Sequence, residues 1–215
     1  MNYCKQALAM LYHGIMTTYP SVVLFLCLTL ASVLGIGTSN AAPTRYQLDT
    51  DASQVGFLYV LNGAEQKGTM PVSQANLTID PLDLQTAQVD VSVDVRKART
   101  GLIFATEALK ARSVLDSAEF PSIRFVATEV QLGTNGRISD GAVITGNLTM
   151  RGVTKPITFE AHLYRIQGSQ PEDLSQLTIR LTGSVTRSDF GANGFSNLVG
   201  DVIKLDILAR IVARR

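Results

Sequence analysis

From Arg45 to the C-terminus, apolar and polar residues alternate in short runs divided by turn formers. The clearest run is Gln88-Val89-Asp90-Val91-Ser92-Val93-Asp94-Val95, in which every second residue is apolar. Successive side chains of a strand point to opposite faces of its sheet, so this pattern predicts a strand with one buried and one wetted face. Ile203, Leu205, Ile207, Ala209 and Ile211 repeat it around Lys204, Asp206 and Arg210. Segments 54–61, 75–80, 122–132, 142–150, 157–166 and 177–186 read the same way. Asn62-Gly63, Asp80-Pro81, Asn135-Gly136, Asp140-Gly141 and Arg151-Gly152 supply the turns between them. About eight strands at hairpin spacing predict an all-β domain, either a sandwich or a closed antiparallel barrel. Residues 100–112 break the alternation. There Leu102, Ala105, Ala108 and Leu109 fall near one helical face behind Thr100, a candidate cap, which predicts a short helix crossing one end of a barrel.

The N-terminal part is a different material. Val22 to Gly35 is an apolar run of signal-peptide length, followed by Thr38-Ser39-Asn40-Ala41-Ala42 before Pro43. Cleavage after Ala41 would leave a mature domain of residues 42–215, periplasmic or secreted. The alternative is an uncleaved membrane anchor over residues 16–38, because the uncharged stretch exceeds the roughly 20 residues that span a bilayer. Met16 is a second candidate start. Cys4 and Cys27 both lie in this leader, so a mature chain has neither disulfide nor thiolate.

Composition narrows the function. The chain has 46% apolar residues, which excludes disorder. Of its 19 Lys and Arg only Lys5 precedes Arg45, so 18 basic residues face 18 acidic ones in the domain. That balance argues against nucleic acid as a partner. His162 is the one histidine after the leader, on the polar side of an alternating run, and neither a histidine metal site nor a Ser-His-Asp triad with a nucleophile elbow can be assembled. Asp189-Phe190-Gly191 matches a kinase tripeptide without the loops that give it meaning. Asn76-Leu77-Thr78 and Asn147-Leu148-Thr149 are glycosylation sequons, relevant only in a eukaryotic secretory route.

Four stretches in order carry a family resemblance. They are Ser113-Val114-Leu115-Asp116-Ser117-Ala118-Glu119-Phe120-Pro121-Ser122-Ile123-Arg124-Phe125, Gly146 to Ile157, Thr186-Arg187-Ser188-Asp189-Phe190-Gly191, and Val199-Gly200-Asp201-Val202-Ile203-Lys204-Leu205. Together they resemble the YceI-like lipid/polyisoprenoid-binding proteins, from about Tyr46 to the C-terminus. The resemblance implies a lipocalin-like antiparallel β-barrel whose apolar interior holds a long isoprenoid chain, in an exported protein without enzymatic chemistry and with no cofactor beyond the bound lipid. Many members carry histidines in the segments matching Asp51–Val55 and Thr106–Arg112. This chain has none there, so their role is not carried over.

The residues themselves leave two states open, since an eight-stranded barrel can fill itself with side chains or hold one small ligand. Phe57, Tyr59, Phe125 and Phe159 alternate with small or polar residues and are candidate cavity walls, with Leu109, Phe120 and Phe190 beside them. Arg151 and Lys155 at the Arg151-Gly152 turn read either as a solvated turn or as a cationic rim for a diphosphate or quinone head, together with Arg187, for which an ion pair with Asp189 is the competing role. The expected function is non-covalent binding of an isoprenoid or quinone-type lipid for transport, storage or sequestration, with membrane contact only through the leader or lipid exchange. A packed structural or stress-response barrel without ligand is the alternative, and an enzyme acting on an isoprenoid or quinone is a third reading that lacks a catalytic cluster.

Overall fold

The computed structural model describes residues 44–80, 83–133, 140–170 and 173–214. The expected leader and its cleavage point, and the Asn135-Gly136 turn, lie outside them. Eleven strands form one sheet: β1 (Thr44–Leu48), β2 (Gln54–Leu61), β3 (Ala64–Met70), β4 (Val72–Asp80), β5 (Asp83–Asp94), β6 (Arg99–Thr100), β7 (Ser122–Leu132), β8 (Ala142–Met150), β9 (Val153–Arg165), β10 (Gln176–Thr186) and β11 (Val202–Ala213), with one helix, α1 (Ile103–Lys110), between β6 and β7. Every pairing is antiparallel, and β1, β4, β5, β7, β8, β9, β10 and β11 close into a ring through Tyr46↔Ala213, Gln47↔Val212 and Leu48↔Ile211. The predicted all-β barrel of about eight strands is the fold.

Strands β2, β7 and β8 begin and end where the alternation places them. The pattern misses β1, β3 and β6. In β3, Ala64-Glu65-Gln66-Lys67-Gly68-Thr69-Met70 carries too few apolar residues to register. It is held instead by seven residue pairs to β2 across the Asn62-Gly63 turn. The β2–β3 hairpin lies outside the ring. One edge of β11 is shared, with Ile211–Ala213 bonded to β1 and Lys204–Leu208 bonded to β2.

At the β1 end, Tyr46, Ile79, Leu177 and Ile211 pack into a plug, and Tyr46 Oη donates to the Leu174 carbonyl at 2.9 Å. Burial there pushes the Tyr46 hydroxyl pKa upward. The other end is covered by α1 and the loop after it, and by residues 187–201. Leu102, not Thr100, is the residue that precedes the helix, and it makes no side-chain cap. Thr100 Oγ1 instead accepts from the Leu102 amide at 3.3 Å and bonds to Thr106 Oγ1 at 3.0 Å, tying the entry of α1 to its first turn.

The outer wall carries diagonal cross-strand ion pairs, Arg124–Asp90 at 2.7 Å and Arg180–Asp206 at 3.0 Å. Arg124 holds the Asp90 carboxyl below the usual range by a two-pronged hydrogen bond. The inner wall shows a different device. Phe57 lies over Gly68 of β3, Phe125 over Gly146 of β8 and Phe159 over Gly183 of β10, so that each ring occupies the space a neighbouring-strand side chain would fill. A Cβ on Gly146 would lie 2.5 Å from Phe125 Cζ. At Gly68 the three atoms nearest such a Cβ all belong to the Phe57 ring. Gly68→Ala should therefore cost about 1–3 kcal/mol, the scale of overpacking, and less in a Phe57→Leu background. Urea denaturation of the four proteins in that cycle measures the coupling, and equal costs in both backgrounds would remove the ring as the cause.

Candidate functional site

The ring encloses a cavity of about 540 Å³. Each of its eight strands contributes to the lining, from Leu48 on β1 to Ile211 on β11, and β2 adds Val55, Phe57, Tyr59 and Leu61. The inward residues show that the barrel is not filled. Along β11 the alternation is complete, yet Ile203, Leu205, Ile207 and Ala209 are only half-buried, whereas Ile211, inside the plug, has no exposure at all. Val89, Val91, Phe125, Ile144 and Leu181 are half-buried in the same way. Side chains that point inward and still carry accessible surface face a void. The size is within the roughly 300–1,000 Å³ of small-molecule sites.

Of the wall residues expected from the sequence, Phe57, Tyr59, Leu109, Phe125 and Phe159 line this cavity. Phe125 and Phe159 meet edge to face with centroids 5.2 Å apart, and Phe57 and Tyr59 stand 6.1 Å apart. The helical face predicted for Leu102, Ala105, Ala108 and Leu109 also lines it. Two residues do not. Phe120 lies under the Arg151 guanidinium, 5.9 Å from its ring centroid, and Phe190 is buried in the surrounding core behind the wall. Sequence reasoning passed over Met70, Leu148 and Met150, and over Phe195 and Leu198 in the segment covering the end. The β8 residues were legible in its alternation. Phe195 and Leu198 follow no period and left no signal.

The three cations expected at the rim are each occupied within the protein. The Arg151-Gly152 turn has both residues at positive φ, +51° and +73°. An arginine costs more there than a glycine. Its Nη1 is held by the carbonyls of Arg112 at 2.8 Å and Val114 at 2.9 Å, so the turn clamps the loop after α1. Lys155 Nζ donates to Asp189 Oδ1 at 3.2 Å. Arg187 is not paired with Asp189, as the sequence suggested. It is buried, borders the cavity, and donates to the carbonyls of Ala192, Gly194 (2.8 Å), Val199 (3.1 Å) and Gly200 (3.1 Å). The guanidinium thus gathers the whole 192–200 segment around itself. His162 is exposed, as its place on the polar side of β9 predicts. Among the described residues there is no group of three His, Cys, Asp or Glu that could hold a metal.

One polar atom in the wall is left over. Tyr59 Oη is buried and has no hydrogen-bond partner among the described residues.

A family model for the YceI-like domain matches residues 46–211. The chain belongs to the YceI-like family. It is 30% identical over 165 residues to protein YceI of Salmonella newport, covering 75% of this chain and 83% of that one. Among solved structures, Burkholderia cenocepacia BcnA superposes with a TM-score of 0.65 at 15% identity, over 76% of this chain and 99% of that one. A polyisoprenoid binding domain from Saccharophagus degradans, implicated in plant cell wall breakdown, gives 0.59 at 11% identity over 80% and 99%. These identities are low enough that the structural likeness speaks for the barrel alone, and the four stretches picked out in the sequence all fall inside or at the edge of the matched family domain.

A buried hydroxyl without a partner carries the desolvation cost of its lost water. Tyr59→Phe should for that reason raise the stability of the ligand-free protein, by up to about 1–3 kcal/mol. Thermal unfolding of delipidated protein tests it, and a destabilised variant would mean that the hydroxyl is satisfied after all.

Proposed function

We propose that the chain is an exported, non-enzymatic carrier that holds a long isoprenoid-type lipid in the barrel interior. The observation that carries this reading is the cavity itself, walled by apolar side chains from every strand of the ring and plugged at the β1 end. A barrel serving only as a structural module would gain stability by closing that void, since lining atoms without partners forfeit dispersion energy. Membership of the YceI-like family and likeness to a polyisoprenoid binding domain support the same ligand class. Export to the periplasm or the outside follows from the leader, with Ala42 as the proposed mature N-terminus.

The donor inventory shapes the head group. With Arg151, Lys155 and Arg187 bound to protein acceptors, a diphosphate would have to break existing bonds to be received. The lining is overwhelmingly apolar, so a neutral head, as in a quinone or prenol, suits the interior better than a charged one. Arg151→Gln with Lys155→Gln should leave the preference between solanesol and solanesyl diphosphate unchanged, and a selective loss of the diphosphate would restore the cationic rim.

The deciding experiment is native mass spectrometry and lipid extraction on protein purified from its own host. Leu181→Trp supplies the control, because the larger apolar ring takes part of the void and should keep the fold while reducing lipid uptake. A Leu181→Trp protein that carries as much lipid as the parent, or a parent that never carries any, overturns the proposal.

A further inference from the structure

We infer that the α1 end of the barrel is a surface for docking on an anionic lipid bilayer, from which the ligand is drawn directly into the cavity. The inference rests on the lipid-binding reading above. Ile103 and Phe104, consecutive in the first turn of α1, are 82% and 91% exposed, the two most exposed large apolar side chains among the described residues. A single exposed apolar residue needs no explanation, but a projecting pair on an ordered helix at the end of an apolar cavity marks an interaction surface.

Two further observations say what covers it. First, Leu102, Phe104, Phe195 and Leu198 are each more than two-fifths exposed and also line the cavity. The apolar surface therefore continues from outside the molecule to its interior, which a protein partner would seal and a bilayer would feed. Secondly, Ile103 shares a surface groove with Arg96, Lys97, Arg99 and Lys110, and this groove shares Ser53, Met70, Thr100 and Leu208 with the cavity wall.

Most of the ion pairs near α1 turn their cations outward. Arg96 and Lys97 expose 65% and 74% of their side chains while the Asp94 they engage exposes 8%. Arg112 exposes 89% against 11% for Asp116. Arg99 is also exposed. On α1 itself the order is reversed, Glu107 exposing 72% against 26% for the Lys110 it meets at 3.4 Å, and Asp51 in the groove and Glu119 in the loop after α1 are exposed carboxylates as well. An apolar tip bordered by outward cations is the arrangement that seats a helix at the boundary between anionic headgroups and acyl chains. The physical advantage is direct. An isoprenoid chain leaving a membrane for a cavity through water must expose its whole length, whereas a mouth pressed into the interface passes it from one apolar medium to another.

The test separates docking from binding. Purified protein is sedimented with phosphatidylcholine vesicles, with and without phosphatidylglycerol, and solanesol uptake is measured from those vesicles and, separately, from detergent micelles. The parent should sediment with the anionic vesicles and load from them. Ile103→Ser, at the residue of the pair that does not line the cavity, should weaken vesicle binding by about tenfold, from the apolar area withdrawn from the bilayer, and load slowly from vesicles, yet take up micellar solanesol like the parent. Lys97→Gln with Arg99→Gln should lose the preference for phosphatidylglycerol. A parent that binds micellar solanesol but never sediments with vesicles overturns the docking surface and leaves the carrier intact. A parent that sediments but takes up no solanesol from micelles leaves the surface and overturns the carrier. A dimer that Ile103→Ser breaks apart would assign the patch to a second copy and overturn the inference.

Discussion

Closure of the ring is the constraint on which the molecule depends. Three residue pairs, Tyr46↔Ala213, Gln47↔Val212 and Leu48↔Ile211, convert a curled sheet into a barrel and leave the long strands of the ring without free edges over that span. The same three pairs place Tyr46 and Ile211 in the plug, so the contact that closes the ring circumferentially also closes it axially. Without them β1 would detach, β4 would become an edge, and the interior would open to water along its length. β11 can serve both ends because it is long enough to give its last residues to β1 and its middle to β2. That division creates the seam at which β2 and β3 depart from the ring, and the groove beside Ser53 and Met70 is its surface expression.

Around the cavity, in the ring and in the β2–β3 hairpin beside it, the aromatic rings and their facing glycines set the interior volume. A large ring over a glycine consumes the lateral space between neighbouring strands and leaves the axis clear, whereas the same apolar volume spread over two branched side chains would reach further inward. Phe57 with Gly68, Phe125 with Gly146 and Phe159 with Gly183 repeat this solution in three parts of the wall. Each glycine weakens its strand on entropic grounds, and the covering ring restores packing. The rings also lean on each other, Phe125 against Phe159, in a geometry worth about 0.5–1.5 kcal/mol beyond area. A wall stiffened in this way can stay in place around a void.

The sequence made the strands legible wherever one face met the interior and the other met water. β11 is the extreme case, with burial alternating residue by residue along its length. β3 was illegible because it lies outside the ring and carries Glu65, Gln66 and Lys67 in succession, and β1 because five residues are too few for a period to show. The wall of the site was read largely from aromatic residues in phase, which found Phe57, Tyr59, Phe125 and Phe159. Phe190 had no strand phase to aim it, since it ends the helical turn 187–190, and it packs into the core behind the wall. Phe120 was drawn off by the Arg151 guanidinium, a contact between distant segments with no local trace. The cations were harder still. Arg187 takes carbonyls from residues 192–200, and the conformation of that irregular segment is decided by the arginine as much as the reverse.

That last arrangement explains how the mouth can be rigid and apolar at once. Segments that cover an opening are usually loops, and loops expose carbonyl groups that water must satisfy. Arg187 turns the carbonyls of Ala192, Gly194, Val199 and Gly200 toward one buried cation, and the side chains of Phe195 and Leu198 are left at the opening. Arg151 does the same for Arg112 and Val114 in the loop that follows α1. Two arginines that a motif reader would assign to an anionic ligand are thus consumed in making the entrance apolar. A buried cation satisfied by carbonyl dipoles still carries its charge, yet with its donors fixed on backbone it has little geometry left to offer a head group. The charge that remains available lies on the outer face, in Arg96, Lys97, Arg99 and Arg112, beyond the entrance instead of within it. In the carrier proposed above, selection by the interior would fall to chain length and shape, and the outer cations would act on the surface that the mouth is brought against.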